Sequence, residues 1–152
     1  MATTGRIYSS RRYAIVAALV ELFKTIDGTG SFRTNVNRSV YPNLKYFEEV
    51  VDFPAICVTA SYETRTYQAG GYRDRYLDVR IMLFINEENP LDKCEALMED
   101  VESLIEENGR LAYVDRDGST QYTRDITISS LSSDEGTLDP MSVGEINIRV
   151  QY

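Results

Sequence analysis

The chain has 152 residues, with 16 Lys plus Arg against 24 Asp plus Glu and a formal net charge of −8. It has no His and only 2 Cys, which excludes a Ser-His-Asp triad, a Cys-His pair, an imidazole metal ligand and a four-thiolate zinc site. The acidic balance argues against a protein that wraps nucleic acid electrostatically, while the length fits one domain with a sizeable core.

Residues 7–26 carry Ile15, Val16, Leu19, Leu22, Phe23 and Ile26 at three- and four-residue spacing, the pattern of an amphipathic helix. Asp27-Gly28-Thr29-Gly30 ends it, because glycine supplies the left-handed conformation of a helix stop. Residues 32–36 alternate and predict a short strand. Residues 41–51 read as a loop with one helical turn. Residues 55–67 are rich in β-branched and aromatic side chains, among them Ile56, Val58, Thr59, Tyr62 and Thr64. After Gly70-Gly71, residues 72–85 alternate throughout. Leu77, Val79, Ile81, Leu83 and Ile85 fall on one face, and Tyr76, Asp78, Arg80, Met82 and Phe84 on the other. Two such runs joined at paired glycines form a hairpin. A strand of this length reaches about 40 Å. A compact domain of this size has a radius of gyration of about 15 Å, so the tip is expected to project.

Asn89-Pro90 stops that strand and opens a helix over 91–107, with Leu91, Cys94, Leu97, Met98, Val101, Leu104 and Ile105 as its apolar stripe. Residues 111–114 and 120–123 flank Asp115-Arg116-Asp117-Gly118 and predict a smaller hairpin. A calcium loop does not fit there, because Gly118 comes too early in the register. Residues 125–131 read as a strand, 132–140 as a polar loop, and 141–152 as a final strand with Ile146, Ile148, Val150 and Tyr152 alternating. The expected fold class is α+β, a mostly antiparallel sheet with two helices packed on one face and a long projecting β-hairpin, in a single domain over 1–152. No signal-type apolar run or membrane-length segment is visible, so a soluble protein made in a cytosol is expected, with Cys57 and Cys94 as buried free thiols.

Three groups of side chains stand out. The hairpin end carries Arg65, Tyr67, Tyr72, Arg73 and Arg75. Tyr and Arg combine large contact area with directional hydrogen bonds, which marks an arm for another protein surface. An exposed polar ribbon and a contact for nucleic acid are the alternatives. The second helix bears Glu95, Glu99, Glu102 and Glu106 with only Lys93 opposing: either a solvated face or a functional negative surface. Arg6, Arg11 and Arg12 cluster near the N-terminus, either to meet an acidic surface of another subunit or by chance. There is no nucleophile with a plausible base, and Gly28-x-Gly30 lacks the strand-before, helix-after setting of a phosphate loop. No catalytic residue, cofactor or metal ligand is therefore assigned.

The layout resembles a known family. Phe53-Pro54-Ala55-Ile56-Cys57-Val58 enters a strand, and the long hairpin returns through Tyr76-Leu77-Asp78-Val79-Arg80-Ile81 into an acidic helix. The chain then runs through Ile126-Thr127-Ile128-Ser129-Ser130 and an Asp-Glu-Gly loop at 134–136 to Gly144-Glu145-Ile146-Asn147-Ile148-Arg149-Val150-Gln151-Tyr152. Over nearly its whole length this is similar to the tail terminator (tail completion) proteins of long-tailed bacteriophages. The resemblance implies a non-enzymatic virion protein, assembled in the host cytoplasm. It would form a homo-oligomeric, hexameric ring that caps the tail tube, stops its polymerisation and meets the head-side connector or stopper. In contractile tails the ring also meets the sheath. DNA would pass through it without specific binding, and no membrane is involved. Under this reading the hairpin residues serve as an intersubunit arm and the acidic helix faces the channel. Another neck or head–tail connector protein is the nearest alternative, and a monomeric binding domain a more distant one.

Overall fold

The computed structural model describes residues 10–152. Helix α1, Arg11–Phe23, begins at Ser10, whose hydroxyl accepts the Tyr13 amide at 3.0 Å. The cap explains why α1 starts later than the apolar spacing alone implied; residues 7–9 of that expected helix lie outside the described residues. Beyond α1 the chain turns through residues 24–39 into a two-residue strand β1, Val40–Tyr41, and a short 3-10 turn at Phe47–Glu49. The long hairpin follows as β2, Ala55–Tyr67, and β3, Arg73–Asn86. Gly70 and Gly71 both take positive φ, 83° and 82°, at its tip, a backbone that side chains with a Cβ disfavour. Helix α2, Pro90–Glu107, then precedes β4 (Ala112–Val114), β5 (Thr120–Tyr122), β6 (Asp125–Ser133) and β7 (Met141–Gln151).

The main sheet has the order β1-β2-β3-β7-β6, with β4 and β5 in a separate two-stranded ribbon. Only the short β1–β2 pair is parallel; the hairpin, β3–β7 and β6–β7 are antiparallel. Register sets the core. Leu77, Val79 and Ile81 lie opposite Val150, Ile148 and Ile146, and all six are buried. This apolar floor faces both helices. Helix α1 packs over β1, β2 and the β4–β5 ribbon, and α2 over β3, β7 and β6. At Gly144 the floor has no side chain, and an added Cβ would lie 2.8 Å from Cys94 Sγ and 3.0 Å from Met98 Cε. The close seat of α2 on β7 depends on that glycine. Cys57 and Cys94 are buried free thiols, and burial pushes both thiol pKa values up.

The opposite face of the sheet is divided. One end forms a second apolar cluster, where Val50, Ala55, Cys57 and Phe84 pack with Phe47 and Phe53 from the loop over it. The other end carries cross-strand ion pairs, Arg80 with Glu145 at 3.3 Å and Arg149 with Asp78 at 3.0 Å.

Two expectations change in detail. Residues 32–36 do not form a strand; only an isolated bridge joins Asp27 and Asn35. The amides of Arg33 and Thr34 donate instead to the carboxylate of Asp100 on α2. The hairpin also projects through its tip more than through its length. β3 pairs with β7 from Tyr76 to Asn86, so only the pairs Arg65–Arg75, Thr66–Asp74 and Tyr67–Arg73 lie beyond the end of β7, about 10 Å at the usual strand rise.

Candidate interaction surfaces

At the hairpin tip Tyr67 is 70% and Tyr72 is 73% exposed. The Arg73 guanidinium lies 5.7 Å from the centre of the Tyr67 ring, within cation–π range. Gln68 Nε2 donates to Asp74 at 2.8 Å, and Arg124, just before β6, donates to the same carboxylate at 3.1 Å. These bonds hold the tip against the body while both rings stay exposed.

The structure divides the five residues predicted as one arm. Tyr67, Tyr72 and Arg73 belong to the tip. Arg65 and Arg75 belong to its root, on the helix side of the sheet, where they meet Arg11 and Arg12. Together with Ser10, Arg116 on the β4–β5 turn, Glu63 and Tyr152, these arginines line a recess of about 260 Å³. Two groups that look separate in sequence therefore share one site. Arg6, the third member of the N-terminal group, lies outside the described residues.

Part of the recess is internally neutralised. Arg11 pairs with Asp115 at 3.1 Å and Arg65 with Glu63 at 2.8 Å. Burial pushes the Glu63 carboxyl up, but the Tyr152 hydroxyl, Arg65 and the charge of Arg12 together bring its pKa below the ordinary value. The Tyr152 hydroxyl donates to Glu63, and its own pKa is pushed up to about 12, first by burial and then by that bond. Other charge is left over. Among the described residues Arg12 donates to the Ser61 carbonyl, at 3.1 Å, and makes no ion pair. Arg75 lies against the Tyr152 ring, 5.7 Å from its centre. The Nε atoms of Arg12 and Arg75 are buried without a hydrogen-bond partner among the described residues. Arg116 and Tyr152 were absent from the predicted set. The only sequence signal for them was the alternation that carries Tyr152 to the end of β7.

The acidic group lies along the outer side of α2. Glu95, Glu99 and Glu106 are exposed and Glu102 is half-buried. Glu99 pairs with Arg33 at 2.6 Å; the other three have no ion pair among the described residues. Asp100, in the same acidic run, is different in kind. It is 4% exposed and accepts from the Thr34 amide at 2.9 Å, the Thr34 hydroxyl at 2.6 Å and the Arg33 amide at 3.1 Å. Its role is to clamp residues 33–34 to the helix layer. The Asp115–Gly118 turn is likewise committed internally, since Asp117 accepts from the Ser119 amide and hydroxyl. Among the described residues no group of three or more His, Cys, Asp or Glu could hold a metal ion.

The two surfaces are thus separate. The basic recess lies at the N-terminal end of α1, over the root of the hairpin and the end of β7. The acids lie on α2, over the β7–β6 side. A family model described as Bacteriophage Tail Tube Terminator Protein matches residues 9–152. The chain belongs to this family. It is 30% identical to the tail tube terminator protein p142 of Escherichia phage T5, over 153 residues that take in 93% of this chain and 92% of that relative. In fold it is similar to a chain of the virion of the native gene transfer agent (GTA) particle, with a TM-score of 0.53, 12% identity and coverage of 91% and 93% of the two chains. As a tail tube terminator the protein is a structural component of the virion and not an enzyme.

Proposed function

We propose that this tail terminator closes into a ring that caps the finished tail tube, stops its polymerisation and presents its other side to the head-side connector. The observation that carries the reading is the placement of opposite charge on two separate surfaces, at the end of α1 and along the outer side of α2. A ring built by head-to-tail contacts needs two different patches on each subunit, placed so that one copy's first patch meets the next copy's second. The basic recess at the end of α1 and the acidic outer side of α2 are candidates for those two patches. The hairpin tip adds a contact of Tyr67, Tyr72 and Arg73 that reaches past the sheet. Hexameric closure is the count expected from the family resemblance. In this reading the tail tube and the connector are the ring's partners, and DNA passes through without a specific site.

Negative-stain images of the protein alone and mixed with tail tubes test the proposal. The expected result is a ring with a central hole, seated at one end of a tube. A protein that stays monomeric and never binds tubes overturns it. For the arm, Tyr67→Ser with Tyr72→Ser is expected to leave the fold intact and lower ring yield several-fold. Unchanged yield would remove the tip from the contact.

A further inference from the structure

We propose that the arginine recess is a carboxylate socket that receives the acidic outer side of α2, through Glu102 and Glu106, from a second copy of the chain. The proposal rests on the ring reading and gives that ring its subunit contact. Its first support is the charge left unmatched inside the recess. Glu63 is occupied by Tyr152 and Arg65, Asp115 by Arg11, and Asp117 by Ser119. Arg75 and Arg116 form no ion pair among the described residues, and Arg12 acts on Glu63 through its charge without a direct ion pair. A guanidinium presents its donors in a planar fork that matches a carboxylate, and a buried Nε–H without an acceptor is an unmet bond. Two such atoms, on Arg12 and Arg75, are present in one recess. The N-terminal end of α1, with its positive dipole end, adds to the same field.

The second support is the state of the acids. Glu102 and Glu106 are one turn apart on α2 and project from the same side. Glu106 lies in the last turn of the helix, where the dipole disfavours negative charge, and among the described residues no basic side chain forms an ion pair with either. An external guanidinium would. The third support is placement. Socket and acids belong to separate surfaces, the first at the N-terminal end of α1 and the second along the outer side of α2, and no ion pair joins them among the described residues, so their pairing would join two copies in head-to-tail order. A chain with a net charge of −8 repels its own copies at long range, so association needs a local match of this kind.

Charge reversal tests the pairing. One variant carries Arg75→Glu and Arg116→Glu; the other carries Glu102→Arg and Glu106→Arg. Each alone is expected to lose rings on tail tubes, by negative stain and by light scattering. An equal mixture is expected to regain them, because alternating copies then meet as native pairs at one contact and as swapped pairs at the next. Arg75 also lies on Tyr152, so Arg116→Glu alone serves as a second variant. Arg116 is on an exposed turn, and circular dichroism checks that the fold remains. Its rings are expected to dissociate at lower salt than the wild type. If the wild type forms no rings on tubes, the ring reading falls and the socket falls with it. If the wild type forms rings and both reversed variants do too, the socket alone is overturned. Loss of rings without recovery in the mixture also overturns it. So does a helix variant with intact rings that retains DNA, which would place the α2 acids on the channel wall. Binding of a short duplex DNA by the wild type, lost in the Arg75/Arg116 variant while rings persist, would assign the recess to phosphate instead.

Discussion

The two helices lie on the same face of one sheet and use their surfaces differently. Helix α2 is amphipathic in the ordinary way: its apolar stripe enters the core, its acids line the outer side, and Gly144 lets it sit close to β7. Helix α1 is apolar around much of its girth, since residues 24–40 and the β4–β5 ribbon cover it through Ile26, Val36, Val40 and Tyr113. Apart from Glu21, which pairs with Lys24 and Arg38, its charged side chains are in its first turn, where Arg11 and Arg12 open on the recess. One helix offers a side and the other an end. In the proposed ring the first serves as a ridge and the second as a socket.

If both helices are equal parts of one core, Leu19→Ala on α1 and Leu97→Ala on α2 should each cost about 2–5 kcal/mol, since both side chains are fully buried. Urea unfolding with an unchanged slope checks this, and a large difference between the two would show that one helix is less integrated. Asp100→Ala should cost about 2 kcal/mol or more, because it strands the amides of Arg33 and Thr34. Amide hydrogen exchange should show the loss of protection at residues 33–34 before the rest of the chain. Gly144→Val affects only the seat of α2, and overpacking there should cost about 1–3 kcal/mol.

A pH series separates the α1 end from the rest. Folding raises the Tyr152 pKa from 10.0 to about 12. Its contribution is full below pH 10 and is lost as the pH climbs to about 12. Tyr152→Phe should remove that alkaline loss. Asp134 behaves in the opposite sense. Burial pushes its carboxyl up, but the Ser142 hydroxyl and the amides of Val143 and Leu138 bring it below the ordinary value. Its contribution is present above the ordinary carboxylate range and is lost as the pH falls through the lowered value. The smallest stability change is expected for Arg116→Ala, within about 0.5 kcal/mol by thermal unfolding, even though ring assembly on tubes should weaken.

Local periodicity made much of the fold legible. The strand over 55–67 appears with the same bounds, α2 differs by one residue at its start, and the face of Leu77 through Ile85 is the buried one. What stayed hidden depends on residues far apart in the chain. The alternation of 32–36 gave no sign that Asp100, on a helix much later in the chain, would take those amides. The acidic run likewise did not show which of its members points inward. The recess was legible only as fragments. Arg11 and Arg12 were one group and Arg65 and Arg75 another, and their meeting depends on where α1 crosses the hairpin root. Arg116 enters through the separate ribbon, which no local pattern places.

That ribbon has a consequence for how such a protein diversifies. β4 and β5 pair only with each other, and Tyr113 joins them to the core. The turn at 115–119 nevertheless supplies one wall of the recess, through Arg116 and the Asp115 contact with Arg11. Lengthening or recharging this turn changes the shape and sign of that wall while leaving the sheet register and both helix seats as they are. If the recess is the proposed socket, its selectivity can be changed at one small appendage without altering the folding of the rest of the chain.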